Sequence, residues 1–145
     1  MESGQHRISF KLMKGSASEL FHLFGVVRDG RAWNTAYPES ESTDAWYMHS
    51  GGGNLAKPPH NHNGNLFGNG KSNNLCNAGS IKEGQIISME ADLDKGTLHF
   101  WLDGQPHGPG WSSGVKGKLR WNVSLYYEGP AVQIVPTPEL QPWAP

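Results

Sequence analysis

The sequence predicts an all-β domain, on two observations. Nineteen glycines and ten prolines accompany six Trp, five Phe and four Tyr in 145 residues, so turn formers separate many aromatic-rich segments. Those segments alternate apolar and polar residues with the period of an extended strand resting one face on a core. The length fits one domain over residues 1–145, with a core over about 4–135 and a proline-rich tail over 136–145.

Each element has its own signal. His6, Ile8, Phe10 and Leu12 alternate with Arg7, Ser9 and Lys11, which predicts a first strand leaving Gly4 and ending at Lys14-Gly15-Ser16. Leu20 to Val27 is apolar at nearly every position. Ser18 offers a helix cap, but Gly25, the paired valines and the Asp29-Gly30 stop favour a strand buried on both faces. Residues 31–44 have no period and read as a loop. Ala45 to His49 reads as a short strand stopped by three glycines, and 54–80 as a long irregular segment with short β pieces near Leu66-Phe67 and Asn74-Leu75-Cys76.

Gly84 to Trp101 organises the rest. Ile87, Met89, Ala91 and Leu93 alternate with Ser88, Glu90 and Asp92, a half-buried strand with a polar outer face. Asp94-Lys95-Gly96 predicts a three-residue turn with glycine in the left-handed position, and Leu98, Phe100 and Leu102 return. Asp103-Gly104 predicts a second tight turn, with Pro106 on an edge strand or loop, and 111–117 is another loop. Leu119, Trp121, Val123 and Leu125 form one strand, Glu128-Gly129-Pro130 a turn, and Val132 to Val135 another strand. These two are expected to pair as a closing hairpin. Trp46, Phe100 and Trp121 belong to the core or its rim.

Composition excludes several function classes. Twelve Lys and Arg against 13 Asp and Glu give a formal net charge of -1, so no whole-molecule field favours nucleic acid or an anionic membrane. One cysteine allows no intrachain disulfide and no cysteine-rich zinc site. With no apolar signal segment at Met1 to Phe10 and no long apolar run, an intracellular, cytoplasmic setting is expected. The Asn122-Val123-Ser124 sequon lies in a predicted strand and reads as chance.

Catalytic and metal chemistry is declined residue by residue, and neither a cofactor nor a metal is expected. Residues 65–72 end like a phosphate-binding loop but begin with Asn65 and lead into no helix. His60-x-His62 offers two imidazoles in a loop rich in glycine and asparagine, and no cysteine pair completes a site. Asp92 and Asp94 share a strand face, as an acid–base pair would, but turn-stabilising hydrogen bonds are the commoner use of such residues. Cys76 has no nucleophile context, and no serine sits in a G-x-S-x-G elbow.

The segments GQHRISFKL, LFGVV, AWYM, GQIISMEADLDKGTLHFWLDGQPHG, GKLRWNVSLY and AVQIV, taken in order, resemble a SPRY domain. The match is most specific from Asp92 to Gly104. Gly108, Leu119, Val123, Ser124 and Leu125 fall where the family has a glycine and a "YPAVSL"-like strand, although Trp121-Asn122 stands in place of its usual Pro-Ala. The resemblance implies a bent, concanavalin A-like sandwich of two antiparallel sheets, without the extra PRY subdomain of the B30.2 form. It also implies a non-enzymatic protein-interaction module inside a larger protein such as a ubiquitin ligase adaptor.

Loop aromatics and arginines are the usual anchors of such interfaces. Arg28, Arg31, Trp33, Tyr37 and Tyr47 are therefore expected to bind a peptide or protein partner, and the resemblance implies Tyr127 and Glu128 as well, which correspond to the segment after the "VSL" strand that contributes to the family's ligand face. The competing assignment for Trp33 and Tyr37 is packing over the end of the sandwich. A carbohydrate-binding, lectin-like module is the alternative function, since aromatics beside Asn-rich loops can stack on sugars.

Overall fold

The computed structural model describes residues 1–14, 21–30, 44–51, 66–67, 81–125 and 131–143. Among these, nine strands form: β1 (Gln5–Lys14), β2 (Phe21–Arg28), β3 (Ala45–Gly51), β4 (Leu66–Phe67), β5 (Ile86–Asp92), β6 (Thr97–Leu102), β7 (Gln105–Pro106), β8 (Leu119–Leu125) and β9 (Ala131–Val135). They build two antiparallel sheets, one in the order β7-β6-β5-β1-β9 and one in the order β4-β3-β2-β8.

The core lies between the sheets. Phe10, Leu12, Ile87, Met89, Ala91, Leu98 and Phe100 face it from the five-stranded sheet, and Phe24, Val26, Trp46, Met48 and Leu119 from the other. Leu12, Phe24 and Phe100 are at most 1% exposed, and each such side chain contributes roughly 1.5–3 kcal/mol through burial. Strand β2 is buried on both faces from Leu23 to Val27, as its nearly continuous apolar run predicts. Phe24 and Val26 enter the main core, while Leu23 and Val27 join Ala45 and Tyr47 in a second buried cluster on the far side of the sheet.

The β5–β6 hairpin forms in the expected register, Met89 opposite Phe100 and Asp92 opposite Thr97. Its loop has four residues, 93–96, rather than three, because the Gly96 N–H donates back to the Asp92 carbonyl at 2.7 Å. Gly96 takes the left-handed φ of 73° that such a closure needs. Asp103 and Gly104 both have positive φ, 48° and 82°, which is a type I′ turn, and it delivers Pro106 to the edge strand β7.

Two expectations are corrected. β8 and β9 do not form a hairpin: β8 pairs with β2 and β9 with β1, so consecutive strands lie at the edges of different sheets. Trp121 and Val123 from one edge and Val132 from the other pack against the same core, so the strands meet across the sandwich instead of side by side. The polar face of β5 is not solvent-exposed either. Ser88 is 0% exposed, hydrogen-bonded to Ser9 at 2.7 Å where residues 136–143 cross that face, and Asp92 is 5% exposed, hydrogen-bonded to Gln5 and to the N–H groups of its own turn.

That crossing was not foreseen from a segment with prolines at 136, 138 and 142. After β9, Ser9 Oγ donates to Thr137 Oγ1 at 2.9 Å, the Trp101 indole N–H donates to the Gln141 carbonyl at 2.8 Å, and the Gln141 N–H donates to the Gly104 carbonyl at 2.8 Å. The segment therefore passes over β1, β5 and β6 without joining either sheet.

Candidate functional site

The strand registers sort the connections to the two ends of the four-stranded sheet. Val27 pairs with Ala45 and Arg28 with Leu119, so segment 31–43 departs and returns at the end where β8 begins. Phe21 pairs with Gly51 and His22 with Leu125, so segments 15–20, 52–65 and 126–130 are attached at the other end. Six residue steps along β2 separate the ends, about 20 Å. The expected site residues thus divide, with Arg31, Trp33 and Tyr37 on a segment rooted at one end and Tyr127 and Glu128 on a segment rooted at the other. These five lie outside the described residues.

Arg28 is placed at the first end. Its backbone N–H donates to the Asp44 carbonyl at 2.7 Å, and its side-chain Nε donates to Asp44 Oδ1 at 3.0 Å. The two residues thereby clasp the base of segment 31–43. The guanidinium also lies over the Trp46 ring, 5.8 Å from its centroid, a cation–π distance. With 40% of its side chain exposed, Arg28 is a cation held in place at the surface. Next to it, the Asp29 N–H donates to the Lys118 carbonyl at 2.8 Å, and Lys118 Nζ stands 3.9 Å from Asp29 Oδ2. Sequence reasoning missed Asp44, whose signal was only its position at the far end of the loop from Arg28.

Tyr47, expected at a partner surface, is 1% exposed. It shares a cross-strand row with Gly25 and Asn122, and its hydroxyl donates to Asn122 Oδ1 at 2.7 Å, across the glycine. Burial pushes the phenol pKa up to about 12, so it remains a neutral donor. The Tyr47 carbonyl meanwhile accepts the Trp111 indole N–H at 3.2 Å. Tyr47 is therefore a packing residue here, since its ring and hydroxyl are both committed within the domain.

The carboxylates considered for catalysis serve the turn. Asp92 Oδ1 accepts the N–H groups of Asp94 and Lys95, Asp92 Oδ2 accepts from the Gln5 amide, and Asp94 Oδ1 accepts the Gly4 N–H. The Gln5 amide, followed by the Lys95 N–H, holds the Asp92 carboxyl below its ordinary pKa. Among the described residues, no group of three or more His, Cys, Asp or Glu side chains is placed to hold a metal ion.

Two antiparallel sheets, with the first strand interior to one, between β5 and β9, and an Asp-Gly-turned hairpin at the opposite edge, define a class of lectin-like sandwiches. Solved structures narrow the class to the SPRY/B30.2 fold. The chain is similar to the SPRY domain of human HERC1, at 20% identity and a TM-score of 0.67 over 92% of this chain and 76% of that one. It is also similar to the TRIM65 PSpry domain, at 15% identity and a TM-score of 0.59 over 94% of this chain and 67% of that one. By sequence, no family model and no curated protein matches. The chain is SPRY-like in fold, as its motifs predicted.

Proposed function

We propose that this chain is a non-enzymatic protein-interaction module, working inside the cell as part of a larger protein of the ubiquitin-ligase adaptor kind. It binds a peptide or protein partner through the connections at the ends of its four-stranded sheet. The observation that carries the reading is Arg28, held by Asp44 and Trp46 yet half-exposed at the root of the segment that carries Arg31, Trp33 and Tyr37. A pre-positioned arginine beside aromatic side chains is what interface hot spots are made of.

The two ends of the sheet make the reading specific. A short peptide seated at the Arg28 end depends on Arg28, Trp33 and Tyr37 and is indifferent to Tyr127 and Glu128. A folded partner, or an extended peptide of seven or more residues, spans about 20 Å and reaches both. The test is affinity capture from cell extract with mass spectrometry, followed by binding measurements on the captured partner with Arg28→Ala, Trp33→Ala and Tyr127→Ala. Loss of about 2 kcal/mol, a factor of roughly 30, is expected for Trp33→Ala with the fold intact. Partners captured equally by all three variants would overturn the proposal.

A further inference from the structure

The outer face of the five-stranded sheet has the features of a peptide groove. Trp101 projects from it but is only 3% exposed, and its indole N–H donates to the Gln141 carbonyl, the one that precedes Pro142. Trp143 stacks on the His99 ring at 4.3 Å and 19° and meets Trp101 edge-on at 5.5 Å and 71°. Absent side chains make room: a Cβ on Gly104 would lie 2.5 Å from the Glu139 carbonyl oxygen, and one on Gly110 would lie 3.3 Å from the Trp143 ring. Ser9 anchors the other end through Thr137.

The occupant has a definite character. From Thr137 to Gln141 is four residues, about 12 Å at the rise of a polyproline II chain, against about 10 Å for the two strand spacings from β1 to β6. The segment is thus nearly fully extended. Prolines at 136, 138 and 142 remove backbone donors, so it cannot add to a sheet. It is held through the Gln141 carbonyl and N–H, the Thr137 hydroxyl and the Trp143 ring, close to the mode in which aromatic-lined grooves take proline-rich peptides.

We propose that this face, centred on Trp101 and His99, is a second peptide-binding site, selective for an extended proline-rich segment ending in Gln-Pro-Trp. The chain's own residues 136–143 fill it in cis. The site stands apart from the sheet-end connections and does not depend on the function assigned to them. A tethered occupant competes at an effective concentration in the millimolar range, so the site is masked to a free peptide until the tether's grip is loosened.

The test uses the whole chain and a fluorescein-labelled synthetic peptide of residues 136–143, Pro-Thr-Pro-Glu-Leu-Gln-Pro-Trp, read by anisotropy. Trp143→Ala, which loosens the resident segment, is expected to bind the peptide about tenfold more tightly than the wild type. Adding Trp101→Phe, which removes the indole donor and shrinks the ring that meets Trp143, is expected to reverse most of that gain. No binding to Trp143→Ala, or binding unchanged by Trp101→Phe, would overturn the proposal. Hydrogen exchange on the otherwise wild-type chain decides the matter independently of that variant's folding. The Gln141 amide is expected to exchange about tenfold faster in Trp101→Phe while the Met89 and Phe100 amides keep their protection. A Gln141 amide that opens only together with those strands would make the segment a fixed part of the sandwich, and the proposal would fall.

Discussion

Gly25 on β2 and Trp46 on β3 approach so closely that a methyl group on Gly25 would overlap the Trp46 carbonyl oxygen and stand 2.8 Å from the Tyr47 Cα. The obstacle is backbone and has no rotamer by which to yield. Gly25→Ala is therefore expected to force β2 and β3 apart, at a cost of roughly 3 kcal/mol or more. Chemical denaturation measures it, and a wild-type midpoint would show that the two strands can separate freely.

Asp92 ties the β5–β6 turn to β1 through Asp94, Lys95 and Gln5. Asp92→Ala leaves those donors unpaired and is expected to cost about 1–3 kcal/mol, whereas Asp92→Asn retains an acceptor oxygen for the turn and costs less. The lowered carboxyl pKa fixes the sign of the acid dependence. The contribution is complete above the unfolded-state value near 4 and is lost as pH falls through the folded-state value. Asp92→Asn should flatten stability measured below pH 4, and an unchanged acid limb would contradict this.

His107 is 5% exposed, and its Nε2 has no hydrogen-bond partner among the described residues. Burial lowers its pKa, and burial also lowers that of His99, against an opposing pull from Glu90 and Asp92. Both rings are favoured neutral in the folded state. Stability is therefore complete above the unfolded-state value near 6.5 and declines as pH drops toward the folded-state values. Melting temperatures between pH 7 and pH 5 should fall for the wild type and fall less for His107→Phe. Equal slopes would place the titrating group elsewhere.

The Arg28–Asp44 pair is partly exposed on both sides, 40% and 28%, so its worth to the fold is small. A double-mutant cycle with Arg28→Ala and Asp44→Ala should give a coupling energy of about 1 kcal/mol or less. Partner binding should suffer more than stability does, and a larger loss of stability than of affinity would mark the pair as structural.

What was legible in the sequence follows from what is local. The β5–β6 hairpin, the Asp103-Gly104 turn and the doubly buried β2 each carry their determinants within a few residues, so alternation and turn chemistry sufficed. The separation of β8 from β9 was not legible, because a turn at 128–130 has the same residues whether the chain returns in one sheet or crosses to the other. Ser88 was assigned to solvent since a lone serine has no reason to be buried, and the Ser9 hydroxyl that satisfies it lies 79 positions away. Residues 136–143 gave no strand signal because prolines abolish it, although Trp143 beside Pro142 was a sign of docking. Tyr47 looked available because nothing in its neighbourhood announces Asn122, 75 positions on.

The place of β1 between β5 and β9 has a consequence in time. Gln5 waits 87 positions for Asp92, and the Met1 amino group waits 118 for the Leu119 carbonyl. At a synthesis rate of about 5–20 residues per second, the first strand spends on the order of ten seconds outside the ribosome with neither neighbour made. Until β9 follows, the sheet cannot close around it. The emerging domain thus passes through a period in which β1 is an exposed edge, and its yield in the cell will be set as much by what shelters that strand as by the stability of the finished sandwich.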